Sequence, residues 1–291
     1  MSILINKETK VVVQGITGRY GSSQVAAMLD YGTDIVAGVT PGKGGEVIYG
    51  VPVYDTVFEA MEKHPEINTG IIYVPPIKVY DAAMEAIDAG IKVGMVAAEG
   101  VPLHDTMRLR DYARNKGTWI VGPNTIGLIT PGECLIGSLA SDYAIPGDVG
   151  IVTRGGTIAI ELIRLLSAAG IGQSTCVGSG GDKVVFRNLA EYLELFDKDD
   201  QTKAIVLNGE IGGGKEAECA KIIPQLSKPV YAYILGRTAP KGKRMGHAGA
   251  IVGSEAESWE SKCEILREAG AHVVATPWEL IDELKKLKTD E

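Results

Sequence analysis

The sequence holds little of several side chains that usually carry chemistry: four histidines, four cysteines, three tryptophans and three phenylalanines among 291 residues. Cys134, Cys176, Cys219 and Cys263 are scattered, with no C-x-x-C pair and no histidine beside them. That spacing argues against a zinc site or a disulfide framework and for a reducing compartment, so no metal ligands are expected. No apolar run approaches the ~18 residues of a membrane span. The opening stretch MSILINKETK has neither the apolar core of a secretory leader nor an Arg/Ser-rich transit pattern, so the expected address is the cytoplasm. Positive charge is not in excess either. With 29 Lys and Arg against 37 Asp and Glu, the net charge of −8 argues against nucleic-acid binding, which needs a basic face.

Glycine, by contrast, is abundant: 37 residues, nearly twice the usual ~7%. Most glycines stand at the ends of apolar runs, where a chain must turn tightly or let a ligand approach its backbone. Those runs (KVVVQG, DIVAGV, TGIIYV, KVGMVA and TWIVGP) alternate with segments of helical spacing, and the second half repeats the alternation from DVGIVTR to AHVVAT. Strand–helix alternation predicts βαβ units and parallel sheets, hence two α/β domains. The expected boundaries are residues 1–124, an irregular linker rich in Pro and Gly over 125–148, and residues 149–291.

The first strand runs into QGITGRYG, with Gly15, Gly18 and Gly21 spaced G-x-x-G-x-x-G. Backbone N–H groups there, together with a helix N-terminus, suit a phosphate. The spacing is not the dinucleotide G-x-G-x-x-G, and the ribose-binding acid expected after the second strand is absent. GVTPGKGG stands in its place, and its Lys43 and glycines also suit phosphate. Two such loops at adjacent strand ends favour a nucleotide-like anion over a pair of ordinary turns. In the second half, TRGGT and GSGGDK place glycines between a strand and an expected helix start. Glu210 ends one strand and His247 follows the next, within RMGHAGA. Adjacent parallel strands would bring the two together, with the carboxylate orienting the imidazole and raising its basicity. A lone histidine in a small-residue loop is either incidental or a nucleophile and proton carrier. The glycine loops and Glu210 favour the second. Gly246, Ala248 and Gly249 keep its loop small enough to move, and Arg237 and Arg244 are either phosphate contacts or solvated cations.

The stretches QGITGRYG, GVTPGKGG, YVPP, EGVP, GPN, PGE, GEIGG and TAPKGKRMGHAGAI, in this order along almost the whole chain, resemble the α subunit of succinyl-CoA synthetase and related nucleoside-triphosphate-dependent acid–CoA ligases. The resemblance implies an N-terminal Rossmann-like CoA-binding domain and a C-terminal flavodoxin-like ligase domain. It implies that His247 carries a phosphoryl group, that Glu210 contacts it, and that CoA meets Gly15, Thr17, Gly18, Arg19, Gly21, Lys43, Tyr73, Val74, Pro75, Glu99 and Asn124. Phosphate and acid would be met by Arg154, Gly155, Gly156, Thr157, Gly181, Asp182, Lys183 and Arg187, with helices starting at Thr157 and after Gly181 aimed at the histidine. ATP or GTP with Mg²⁺ would be bound by a separate ATP-grasp β subunit, in an αβ or α₂β₂ assembly.

The departures lie on the expected acid side. Gly155 stands where the family has serine, GGDKVVFRN replaces a Gly-Gly-Asp-Pro turn, and Thr125 and Ile126 follow GPN. They imply an acid that is succinate or a different one, such as malate, citrate or a sulfonated acid. A nicotinamide-dependent oxidoreductase and a catalytically silent CoA-binding subunit are the alternatives.

Overall fold

Valine and isoleucine branch at Cβ, which crowds a helix but suits a pleated sheet. In the computed structural model, which describes residues 2–139, 141–240, 242–247 and 249–289, their runs form two seven-stranded sheets. The first contains β1 (Lys10–Gln14), β2 (Asp34–Val39), β3 (Val47–Ile48), β4 (Val51–Tyr54), β5 (Thr69–Ile72), β6 (Val93–Val96) and β7 (Trp119–Val121). Their order is β3-β4-β2-β1-β5-β6-β7, parallel except for the β3–β4 hairpin. Helices α1 (Arg19–Tyr31), α2 (Val57–Lys63), α3 (Val79–Asp88) and α4 (Leu103–Lys116) connect them. Loops at the carboxyl ends of such strands form the ligand-binding edge of an open α/β sheet.

The second sheet contains β8 (Gly127–Thr130), β9 (Cys134–Gly137), β10 (Pro146–Thr153), β11 (Gln173–Gly178), β12 (Ala204–Glu210), β13 (Val230–Leu235) and β14 (His272–Val274). Its order is β14-β13-β12-β10-β11-β8-β9. The strands from β14 to β11 are parallel, and β8 and β9 add an antiparallel edge. Between them run α5 (Gly156–Ala168), α6 (Leu189–Lys198), α7 (Lys215–Ile222) and α8 (Trp259–Glu268), and α9 (Pro277–Thr289) closes the chain.

The segment 125–148, expected to be irregular, instead contains the β8–β9 hairpin and the start of β10. Its apolar residues Leu128, Ile129, Leu135 and Ile136 are buried. The hairpin is also sewn to the first sheet's layer. Thr33 Oγ1 donates to the Leu135 carbonyl at 2.8 Å, Thr130 Oγ1 to the Ile5 carbonyl at 2.9 Å, and the Gly132 N–H to the Tyr31 hydroxyl at 2.8 Å. One hydrophobic cluster accordingly runs from Val11 and Val121 through Leu128 to Ile151 and Leu207. A Pro/Gly-rich stretch reads as loop because its strands are short; burial against both layers makes them strands.

The helix expected after Gly181 does not start there. Residues 179–188 are bends and irregular chain, and α6 starts only at Leu189. The start is fixed by a capping box. Asn188 Oδ1 accepts from the Glu191 N–H at 3.0 Å, and the Glu191 carboxylate accepts from the Asn188 N–H at 2.9 Å.

Candidate active site

β12 is buried along its whole length, so Glu210, its last residue, is held rigidly at the carboxyl edge. β13 lies beside it in parallel, and the loop that leaves β13 brings His247 back over that edge. His247 Nδ1 and Glu210 Oε2 are 2.8 Å apart, with the histidine side chain 30% exposed and the glutamate 7%. Hydrogen bonding to Glu210 raises the His247 pKa above its ordinary value, against the opposing effect of burial. The loop closes on itself through Met245 N–H to the Ala250 carbonyl at 2.9 Å. Ala248 lies outside the described residues.

Two glycines flank the ring. A Cβ on Gly155 would come within 3.0 Å of His247 Cε1, and one on Gly181 within 2.9 Å of Cδ2. Gly155 is also the N-cap of α5 and offers no side-chain cap. The first-turn N–H groups at Gly156 and Thr157 therefore point, with the positive end of the helix dipole, into a cleft of about 400 Å³ that also holds His247, Glu161 and Met245. Such a cleft can receive an anion beside the imidazole.

Arg154 sits behind this cleft. It is 3% exposed, and its guanidinium is taken by Glu210 Oε1 at 3.1 Å and Glu216 Oε1 at 3.1 Å. It therefore supports Glu210 and does not reach for phosphate. Arg187 is engaged elsewhere too. It pairs with Glu191 at 2.9 Å, donates to the Thr118 carbonyl at 3.1 Å and covers the Trp119 ring at 4.5 Å, tying α6 to the first sheet. Arg237 lies over the Trp259 ring at 5.2 Å. Gly181 and Asp182 remain near the histidine. Asp182 accepts from Asn124 Nδ2 at 3.0 Å and the Gly100 N–H at 3.3 Å, and its carbonyl accepts from Lys215 at 2.8 Å. Burial pushes the Lys215 ammonium down to about 7. No local motif singles out Lys215, Glu216 or Lys262.

At the first sheet, Gly15 has φ +82°, and a Cβ there would lie 2.4 Å from the Tyr73 carbonyl oxygen, so only glycine fits. It lines a cleft of about 640 Å³ with Gln14, Thr40, Val74 and Lys78. Val74 is shared with a second cleft of about 390 Å³, lined by Gly18, Arg19, Gly21, Tyr73, Pro75 and Glu99. Glu99 is shared with a third of about 350 Å³, which contains Asp182, Lys183 and Arg244. Arg244 pairs with Glu99 at 3.6 Å and stands three residues before His247. The clefts thus form a path from Gly15 to the histidine loop.

Three expected residues sit differently. Thr17 Oγ1 donates to Thr40, Lys43 pairs with Glu46 at 2.8 Å, and Asn124 belongs to the Asp182 side of the path. The GVTPGKGG loop already holds an anion of its own. The N–H groups of Gly42, Lys43 and Gly44 all donate to Asp55 Oδ1, at 2.6, 3.0 and 3.0 Å. Those donors, led by Gly44 and Gly42, lower the Asp55 pKa below the ordinary carboxylate value. Gln14 and Lys78 were missed from sequence, although both stand at strand-end or helix-start positions of the binding edge. The four cysteines are free and buried, so none is offered as a nucleophile. Among the described residues, no group of three or more His, Cys, Asp or Glu side chains is placed to hold a metal, and no helix is long and apolar enough to cross a membrane.

The CoA binding domain family matches residues 6–100, and the CoA-ligase family matches residues 152–272. The chain is 48% identical to succinate–CoA ligase [ADP-forming] subunit alpha 2 of Archaeoglobus fulgidus, covering 97% of this chain and 98% of that one. It is 44% identical to the ADP-forming sulfoacetate–CoA ligase subunit SqwL of an Acholeplasma species, covering 98% of each. Among solved structures it resembles the ATP citrate lyase of Methanothrix soehngenii in complex with citrate and coenzyme A. The TM-score is 0.89 at 25% identity, over 98% of this chain and 52% of that chain, so it spans about half the length of the lyase.

Proposed function

We propose a reaction from one premise: the chain belongs to the family of ADP-forming acid–CoA ligase alpha subunits of the succinate–CoA ligase type. It is a ligase subunit with a CoA-binding domain, and as an alpha subunit it works with a beta partner. We infer that the partner has an ATP-grasp fold and holds ATP or GTP with Mg²⁺, in an αβ or α₂β₂ assembly. The buried free thiols support a reducing, cytoplasmic setting.

In our reading, His247 Nε2 attacks the terminal phosphoryl group of the nucleotide, forming an N–P bond as the bond to the nucleoside diphosphate breaks. Glu210 accepts the Nδ1 proton in a hydrogen bond, which leaves the Nε2 lone pair free and steadies the positive charge that develops on the ring. The uncapped start of α5 at Gly156 and Thr157 faces the charge spread over the phosphoryl oxygens. An acid carboxylate then takes the phosphoryl group, giving an acyl phosphate and restoring the imidazole. The CoA thiolate attacks the acyl carbon, and inorganic phosphate leaves. The run of clefts from Gly15 past Glu99 to Arg244 supports a CoA molecule that spans the two halves of the chain.

The single observation that carries this reading is the Glu210–His247 pair set beside an uncapped helix N-terminus at the end of that path. The acid is succinate or another small carboxylate or sulfonate. Gly155, beside the ring where the family has serine, supports a site altered on its acid side.

The test is labelling from γ-phosphate-labelled ATP in the presence of the beta partner. A base-stable, acid-labile label that disappears in His247→Asn is expected, and label that persists in that variant overturns the assignment. A screen of succinate, malate, citrate and sulfoacetate for CoA-ester formation then identifies the acid.

A further inference from the structure

Behind the Glu210–His247 pair lies a set of charges to which the reaction above gives no role. Arg154, Glu216 and Lys262 are 3%, 0% and 2% exposed. They come from the turn before α5, the second residue of α7 and the fourth residue of α8. Charges taken out of water recover their hydration only through close pairing, so a buried charge group is weak evidence for stability. The geometry of the group suits it to another task.

Glu216 is the centre. Its Oε1 accepts from Arg154 Nη1 and from the Glu210 N–H, both at 3.1 Å, and its Oε2 accepts from Lys262 Nζ. Lys262 also donates to the carbonyls of Glu210 and Gly212 at 2.8 and 2.6 Å, and Arg154 Nη1 reaches the same two carbonyls at 3.2 and 3.1 Å. One tooth of the guanidinium fork is thereby fixed. The other, Nη2, lies 3.1 Å from Glu210 Oε1, yet that oxygen makes no hydrogen bond. Arg154 attracts Glu210 from off the hydrogen-bond direction, and Oε2 stays with the histidine.

We propose that Glu216 is a positioning residue for His247. By holding Arg154 on one tooth of its fork, it prevents a two-point pair between Arg154 and Glu210 and leaves Glu210 Oε2 to accept from His247 Nδ1. The charged groups around the ring are Glu210 from the end of β12, Arg154 from the turn before α5, Glu161 from α5 and Glu99 from the loop after β6. Arg244 lies on the histidine's own loop and is paired with Glu99, and Lys215 and Asp182 stand beside Gly181.

The proposal rests on reading His247 as the phosphoryl carrier, but its test reads the ring itself and needs no turnover. Nitrogen NMR of the full chain with labelled histidine, assigned through His247→Asn, gives the tautomer and titration of each ring. In the unsubstituted chain the Nδ1–H tautomer is expected; a ring found mainly as Nε2–H overturns the arrangement without any variant. In Glu216→Gln, the neutral amide holds Arg154 more weakly than the carboxylate did, so Arg154 turns further toward Glu210, the His247 pKa falls by about one unit and the tautomer preference weakens. In Lys262→Met, Glu216 still holds Arg154, so neither the pKa nor the Nδ1–H preference falls. A merely structural network predicts that the two variants behave alike, because each loses one buried charge. Shifts in the same direction, or an unshifted Glu216→Gln ring, would refute the proposal. If His247→Asn still takes label while the ring results hold, the phosphoryl reading fails and the positioning network stands.

Discussion

Adding a single methyl group beside His247, in Gly181→Ala, separates placement of the ring from stability of the fold. The new Cβ would stand 2.9 Å from Cδ2, 3.0 Å from Cγ and 3.2 Å from Asn124 Nδ2, whereas ordinary contacts begin at 3.4 Å. The imidazole belongs to a loop and is partly exposed, so it yields before the backbone does. A retreat of about 0.5–1 Å relieves the contact and stretches the 2.8 Å bond to Glu210. Misplacement of a reacting group on this scale costs up to ~100-fold in rate, or about 2.7 kcal/mol of barrier. Folding loses much less. Gly181 does not have a positive φ, and the ~0.4–1 kcal/mol that alanine gains by restricting the unfolded chain offsets part of the strain. Rapid-quench labelling of His247 in alkali, alongside thermal unfolding, is the assay. We expect a ~10–100-fold slower phosphorylation with Tm changed by no more than ~2–4 °C. Labelling at the unsubstituted rate would show that the ring does not depend on this glycine. A large drop in Tm would show that the contact belongs to the core.

Gly15→Ala meets the Tyr73 carbonyl at 2.4 Å with φ +82°, and backbone cannot give way as a side chain can; CoA affinity measured by calorimetry should fall at least ~10-fold. The His247 pKa is raised in the folded chain, so its pairing with Glu210 stabilises the fold fully below the unfolded value near 6.5 and loses that effect as pH rises through the folded value. Denaturant unfolding of the unsubstituted chain and His247→Asn should therefore differ most at pH 5–6 and converge at alkaline pH; a gap that widens with pH would reverse the assignment. Arg187→Ala removes a contact between α6 and the first sheet and no part of the histidine cleft, so it should cost ~1–2 kcal/mol in denaturant unfolding while leaving the labelling rate of the folded protein unchanged.

Local pattern made much of the site legible. Val and Ile runs locate ten strands because burial on a sheet is written into short stretches of chain, and strand–helix alternation orders them. The Glu210–His247 pair followed from the same logic: when consecutive strands are parallel neighbours, their carboxyl-end loops must meet. Three cations expected at anions have other partners, for a common reason. Arg154 and Arg187 were assigned to anions because cations near glycine loops usually face ligands, but each finds buried partners that are distant in sequence. Lys43 and its glycine loop looked ready for phosphate, yet Asp55, twelve residues on, already accepts their N–H groups.

What the chain determines by itself is therefore whatever depends on near neighbours: element type, the glycines that clear space, and the order in which strand ends are presented. Long-range pairing decides the rest. The β8–β9 hairpin becomes sheet only when α1 and β11 bury it. Glu216 and Lys262, on helices where a charge ordinarily faces water, become interior only when α7 and α8 close over Arg154. Burial makes a charge choose a partner, and that partner is visible only once the chain has folded.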